Sequence, residues 1–270
     1  SIVMTKSTST STSANSTDES KTSSPRPGIQ VIARAASILR TLENEGDGLS
    51  LGQIAKRVDL PRSTVQRIVN ALMDENMLVS ASLNARVKLG PTILRLASNT
   101  SFDFSTFVRP HLEALSQSTG ETVDLSMQRE NKMVFVDQIA SNHRLSAVSA
   151  IGEDFLMHTC ANGKAALSLM SDSEVAVLFA KGLAKDTNKT ITDLTKLMTE
   201  IQVIRDSKVA IDNDEHTDGI SAAGTAFKDP LGIIFSVSVP VPTVRFVRDK
   251  KHIIESLVAF RGRMMLVLNR

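Results

Sequence analysis

Three short runs of helical periodicity, separated by turn signals, lie between Val31 and Met73 and leave little choice of fold there. Val31, Ala35, Ile38 and Leu42 recur at three- and four-residue steps, and Gly46 and Gly48 end that run. Ser50-Leu51-Gly52-Gln53 follows with the Ser-x-x-Gln spacing, in which serine and glutamine side chains satisfy two backbone donors at a helix start. Behind it Leu51, Ile54, Ala55 and Val58 form one apolar stripe. Asp59-Leu60-Pro61 is a short turn, with Pro61 suited to the first position of the next helix. That helix carries the stripe Val65, Ile68, Val69, Leu72 and Met73, and Asn76 suits a left-handed stop. Helices this short are marginal alone, so the three stripes must pack on one another.

Leu78 to Ala81 and Arg86 to Leu89 read as two short strands around residues 82–85. Three helices followed by a small hairpin make a winged helix-turn-helix. The face of the third helix opposite its stripe holds Arg62, Ser63, Thr64, Gln66, Arg67 and Asn70, with no acid until Asp74 and Glu75 at the far end. A helix entering the major groove reads bases from its N-terminal half and must be free of negative charge there. Arginine and glutamine suit bidentate contacts to guanine and adenine, and Ser63 and Thr64 suit phosphates near the helix start. On the hairpin, Arg86 and Lys88 share one strand face, where a wing would meet the DNA backbone, while Val87 and Leu89 share the other.

The rest of the 270 residues divides into a leader and a second unit. Fifteen of residues 1–24 are Ser or Thr, a composition that cannot bury enough apolar surface to order itself, so residues 1–25 are expected to be disordered. Charge is uneven: residues 26–95 carry a net +4 and residues 96–270 a net −2. A basic front and a mildly acidic back suit a nucleic-acid reader joined to another function. With only about four net positive charges in front, a non-specific, salt-dominated DNA coat is the weaker reading. Cys160 is the lone cysteine, so disulfides within the chain and four-cysteine zinc sites are excluded. Neither an apolar run of membrane-spanning length nor a signal-peptide core is present, and a cytoplasmic location is expected.

The second unit mixes types. Residues 92–101 look helical and could bridge to it. A helix at 106–119 with Leu112 and Leu115 inward ends at Gly120. Val123, Leu125 and Met127 alternate with polar residues, as in a half-buried strand, and strands are also predicted at 132–139 and 144–150. Helices fit 162–170, 173–180 and 191–206, strands 208–212, 220–227 and 231–239, and a final helix 246–268. This is an α+β unit with a mainly antiparallel sheet flanked by helices.

Three segments together resemble the IclR family of bacterial transcription regulators. They are Ser50 to Ala55 running on to Leu60 through Arg67, then Phe155 to Ala165 (Phe-Leu-Met-His-Thr-Cys-Ala-Asn-Gly-Lys-Ala), then Asp212 to Ala223 with Ile234 to Pro240. The likeness spans about residues 30–268. It implies a ligand-responsive regulator, repressor or activator and not an enzyme, with no cofactor and no metal. It implies a winged helix-turn-helix over 26–90, a linker helix over 91–106 and a GAF-like effector domain over 107–270. It also implies a double-stranded DNA operator, a homodimer or tetramer, and a small-molecule effector, often an organic acid. By resemblance the effector-lining positions are Ala161, Asn162, Asp212, Ala222, Ser236 and Ser238. Where several relatives have a thiol-bearing residue this chain has Ala222, and where they have a small apolar one it has Asn162.

Those residues have their own logic. Ser236 and Ser238 are two apart in an apolar strand, so both hydroxyls share a face and, if buried, need partners that a bound carboxylate could supply. The segment Ala161-Asn162-Gly163 would lie at the start of a helix beginning near Lys164, whose free N–H groups favour an anion. The bland alternative is that both serines bond neighbouring backbone or water. A rival class is a thiol-dependent hydrolase, with His158 and Cys160 two apart and the front unit as a tether, yet no carboxylate or amide is placed to orient the histidine. A buried small cysteine and a hydrogen-bonded loop histidine are the simpler reading. His216 beside Asp214 and Glu215 is read as a solvated loop and not as a metal cluster.

Overall fold

The computed structural model describes residues 27–81, 85–98 and 103–268. The expected leader and the tip of the predicted hairpin, residues 82–84, lie outside the described residues. The chain divides into two compact units, residues 1–101 and 102–270.

In the first unit α1 (Pro27–Thr41), α2 (Leu51–Val58) and α3 (Arg62–Asp74) enclose a core of Ile38, Leu42, Ile54, Val65, Val69 and Leu72. Val31, assigned to the first stripe, is instead exposed. At the start of α2 the Ser50 hydroxyl accepts from the Gln53 amide N–H, and the Gln53 side chain accepts from the Ser50 N–H. Asp59 ends α2 in the left-handed region (φ 52°), and Asn76 adopts the same conformation (φ 53°) just beyond α3. Pro61 is the residue before α3 and not its first helical one. The hairpin β2 (Leu78–Ser80) and β3 (Arg86–Leu89) forms as expected, but a two-residue strand β1 (Leu49–Ser50) also joins it, in the order β1-β3-β2. Gly48 makes that pairing possible. Its φ is +73°, and a side chain there would lie 2.5 Å from the Val87 carbonyl oxygen. Helix α4 (Pro91–Ser98) opens against the end of α3, where the Thr92 hydroxyl donates to the Glu75 carbonyl.

The second unit is built on an antiparallel sheet. Its strands are β4 (Val123–Arg129), β5 (Lys132–Ile139), β6 (Asp154–Leu156), β7 (Ala210–Asn213), β8 (Ile220–Lys228) and β9 (Ile234–Pro242), in the order β6-β5-β4-β9-β8-β7. The predicted strand at 144–150 is not one. Those residues form an irregular segment, and the third strand is the later β6.

Alternation along the strands sorts the sheet into two faces. Val123, Leu125, Phe227, Phe235, Val237, Val239 and Val241 point to one core, beneath α5 (Phe104–Thr119) and α9 (Thr243–Leu268). The other face carries small residues, Ser126, Ala222, Gly224, Ala226, Ser236 and Ser238. The small side chains let α6 (Ala161–Leu167) approach closely, with α7 (Asp172–Leu178) and α8 (Leu194–Ser207) beyond it. A side chain at Gly224 would lie 3.0 Å from the Ala161 backbone, and one at Gly163 would lie 2.1 Å from the Met157 carbonyl oxygen. Helices therefore cover both faces, and β9 is buried along its whole length. This corrects the half-buried reading of β4, in which Asp124 and Ser126 are as buried as Val123 and Leu125.

Candidate functional sites

The exposed face of α3 is the first candidate. Burial of Val65, Ile68, Val69 and Leu72 turns Arg62, Ser63, Gln66, Arg67 and Asn70 to solvent, with Thr64 half-buried. Pro61 supplies no side-chain bond to the helix start, so the first backbone N–H groups of α3 stay available to an anion. Among the described residues, Arg62, Arg67, Arg86 and Lys88 pair with no carboxylate, whereas Arg57 on α2 is held by Glu45 at 2.6 Å. On β3, Val87 is buried, Arg86 half-buried and Lys88 exposed. Leu89, expected to share the inward face with Val87, is also exposed.

The second candidate is a cavity of about 450 Å³ in the second unit. It lies where the small-residue face of the sheet runs out from under α6. Cross-strand register builds its floor, with Asp124 opposite Ser238, Pro240 opposite Ala222, and Ala222 opposite Asp212. Ala161 and Asn162 enter from α6, and residues 146–150 with His216 and Thr217 form the rim. Of the six positions singled out by resemblance, Ala161, Asn162, Asp212, Ala222 and Ser238 line this cavity. Ser236 does not. Its hydroxyl donates to the Asn162 carbonyl at 2.9 Å, while the Asn162 side chain donates to the Ser126 hydroxyl at 2.9 Å, so Ser236 and Ser126 pin the start of α6 to the sheet. Ser238 is 2% exposed, and among the described residues its hydroxyl has no hydrogen-bond partner.

Polar chemistry in the cavity is acidic. Asp124 accepts from the Gln138 amide at 2.7 Å and the Ser149 hydroxyl at 2.6 Å, but burial outweighs both bonds and pushes its carboxyl up to about 6. Asp212 accepts from the Glu215 N–H at 2.7 Å, and burial pushes it up to about 7. Glu153 stands at the rim, and among the described residues no Lys or Arg lines the cavity. The helix start expected at 161–163 is present but short. Helix α6 begins at Ala161 and has only seven residues. Its Gly163 N–H donates to the Cys160 sulfur at 3.4 Å, and its Lys164 N–H to the Cys160 carbonyl at 3.0 Å.

Behind the cavity lies a charge cluster that alternation and loop composition did not reveal. The Lys164 ammonium is wholly buried and donates to Glu200 at 2.5 Å, the Ile211 carbonyl at 2.6 Å and Glu215 at 2.7 Å. Burial pulls its pKa down, but the two carboxylates outweigh that and hold it above the ordinary lysine value. The loop read as solvated is therefore partly internal. Glu215 holds Lys164, and Asp214 is bonded by Lys189 at 2.6 Å and Thr243 at 2.5 Å. His216 is bonded by Thr159 and Asp186. Asp124 and Ser126 went unnoticed in the sequence because they sit at the polar beats of an alternating strand. Like Ser236 and Ser238, they stand two apart and share one face of their strand.

The thiol-hydrolase alternative fails on geometry. Cys160 caps α6, and burial pushes its thiol well above the ordinary range, leaving no thiolate to attack. The His158 Nε2 is bound to the Ala184 carbonyl at 2.7 Å and its ring packs edge-on against Phe179, so it serves no nucleophile.

Residues 31–81 match the IclR helix-turn-helix domain, and residues 97–261 match the bacterial transcriptional regulator IclR C-terminal domain. The chain is 42% identical to the HTH-type transcriptional regulator Rv1719 of Mycobacterium tuberculosis over 86% of this chain and 90% of that one. It is 36% identical to the HTH-type transcriptional regulator TtgV of Pseudomonas putida over 81% and 83%. In fold it is similar to a putative IclR transcriptional regulator from Silicibacter sp., with TM-score 0.73, 22% identity and coverage of 88% of this chain and 95% of that one. The chain belongs to the IclR family of bacterial transcriptional regulators.

Proposed function

We propose that α3 enters the major groove of an operator, and that the cavity of the second unit takes the small molecule that modulates this binding. Arg67, Gln66 and Asn70 face base edges. Arg62, Ser63 and Thr64 meet phosphate near the uncapped helix start, and Arg86 and Lys88 meet the backbone from the wing. The observation that carries this reading is the set of cations left unpaired on a face with no acid in its first three turns. A solvated surface without a partner has no reason to keep them apart from carboxylates such as the one that holds Arg57.

A homodimer or tetramer reading a two-fold operator in the cytoplasm, as repressor or activator, completes the proposal. Effector and operator are then linked: each changes the affinity of the other by the same factor. The test is selection from a random duplex library by the full-length protein. Enrichment of a palindromic site, lost with Arg67→Ala, supports the reading. Binding without enrichment sinks it in favour of a sequence-indifferent DNA coat. The carboxylate effector expected from the sequence finds little to greet it in a cavity lined by acids.

A further inference from the structure

We infer that the effector of this protein is a hydrogen-bond donor that carries no negative charge, an alcohol or amine on a compact apolar body, and not a small carboxylate. This rests on the cavity being the effector site.

Two independent observations carry it. The first is the cast of polar atoms. Asp124, Asp212 and, at the rim, Glu153 present acceptors, and among the described residues no lysine or arginine in the lining answers them. The nearby Lys164 ammonium already has three acceptors and does not line the cavity. His216 meets Thr159 and Asp186 through Nδ1, which leaves Nε2 as the one ring nitrogen of the lining that could donate to a ligand. Of the first α6 amides, Gly163 and Lys164 donate to Cys160, while those of Ala161 and Asn162 have no partner among the described residues, on a helix of only seven residues.

The second is Ser238. The Ser238 hydroxyl has no hydrogen-bond partner among the described residues and opens onto the cavity, so it is free to bond whatever fills that space. Register sets Ser238 directly opposite Asp124, so a ligand atom that bonds Ser238 also lies beside that carboxyl. A hydroxyl there accepts from Ser238 and donates to a carboxyl. An ammonium donates to both. A carboxylate accepts from Ser238 and is then repelled by its neighbour. The remaining walls, Phe135, Val148, Ile220 and Pro240, ask for an apolar body, and about 450 Å³ suits one or two rings.

Burial raises both aspartates, so near pH 6 a protonated carboxyl can itself donate to an anion. The discriminating experiment is therefore run at pH 8. The full-length protein is titrated by thermal shift and calorimetry with three frames, benzyl, cyclohexyl and indanyl, each as alcohol, amine and carboxylate. The expected result is stabilisation by alcohols or amines at least ten times stronger than by the matching carboxylates. Ser238→Ala should weaken it, and Asp212→Asn should erase the preference for amines. Asp124→Asn provides the same reading should Asp212→Asn fail to fold.

Preference for carboxylates at pH 8 overturns the donor claim and leaves the cavity as effector site. Stabilisation that survives filling the cavity with Ala222→Ile overturns the cavity reading itself. Silence from all nine compounds overturns both and leaves the DNA-reading proposal, tested separately by library selection, untouched.

Discussion

Helices α3 and α6 carry the residues on which each unit depends, and they hold them in opposite ways. On α3 the cations stand in water with no partner among the described residues. On α6 every residue is buried, and Lys164, the one cation, has three acceptors within 2.7 Å. The difference follows from solvation. An exposed guanidinium keeps its hydration and can wait for a ligand at no cost to the fold. A buried ammonium must be satisfied when the chain folds, because leaving it bare costs several kcal/mol. Function can therefore be displayed on α3 and replaced freely, whereas around α6 the same residues hold structure and site together.

That contrast is broken most directly at Lys164. We expect Lys164→Met to destabilise the second unit by about 3–5 kcal/mol, since Glu215 would keep a buried charge without its partner. Urea unfolding measures this. Arg67→Ala, run alongside, should leave the midpoint within about 0.5 kcal/mol of the parent, as befits an exposed side chain away from any packing feature. Equal losses in the two variants would erase the distinction between displayed and buried cations.

The next effect is the pH dependence that the two cavity aspartates contribute. Asp212 and Asp124 have folded pKa values of about 7 and about 6, both above the ordinary 3.8 that the unfolded chain has. Between those limits the folded state binds more protons than the unfolded one, so stability falls as pH rises from about 4 to about 7. Asp212→Asn removes one such group, and its unfolding free energy should decline less than the parent's across that window. A parent curve that rises there, with no change in Asp212→Asn, contradicts the burial assigned to these carboxyls.

The same contrast decides what was legible in the sequence. The first unit could be read almost residue by residue, because its helices bury one stripe and wet the other. Ser50 and Gln53 cap as their spacing says, and Asn76 takes the left-handed turn. β1, the exposure of Val31 and Leu89, and the place of Pro61 one residue ahead of α3 escaped. In the second unit the strands and helices were largely found, but their polar residues were sent to the wrong side. Alternation says that Asp124 and Ser126 face away from Leu125. It cannot say that α6 lies over them. Lys164 and Glu215 were missed because charged residues are almost never fully buried unless paired, and pairing across 51 positions leaves no local trace. Residues 144–150 alternate like a strand but find no ladder, and Ser149 bonds the Asp124 side chain instead.

A smaller effect sharpens the reading of α3 itself. If Arg67 makes a bidentate base contact, Arg67→Ala should cost ~1–3 kcal/mol in binding the selected site while leaving random-sequence binding nearly intact. Anisotropy titrations on both duplexes separate the two. A uniform loss on both, with a shallower salt dependence, moves Arg67 to the phosphate backbone.

The finest comparison sets one device against itself in the two units. Ser50 with Gln53 opens α2, and Ser171 with Glu174 opens α7, each hydroxyl accepting from the third residue's N–H and each third side chain accepting from the cap's own N–H. Replacing either serine by alanine should cost ~0.5–2 kcal/mol of local stability, read from amide exchange in the helix it opens. The partners differ in charge. Backbone and hydroxyl bonds from Ser171 hold the Glu174 carboxyl below its ordinary value, so its contribution is present above about pH 4.5 and is lost as pH falls through the lowered folded value. Gln53 does not titrate. Lowering the pH should therefore shrink the cost of Ser171→Ala, whose box is already half undone, and leave that of Ser50→Ala where it was. Parallel pH dependence in the two variants would mean that the hydroxyl alone carries the cap, and that the third residue matters in neither unit.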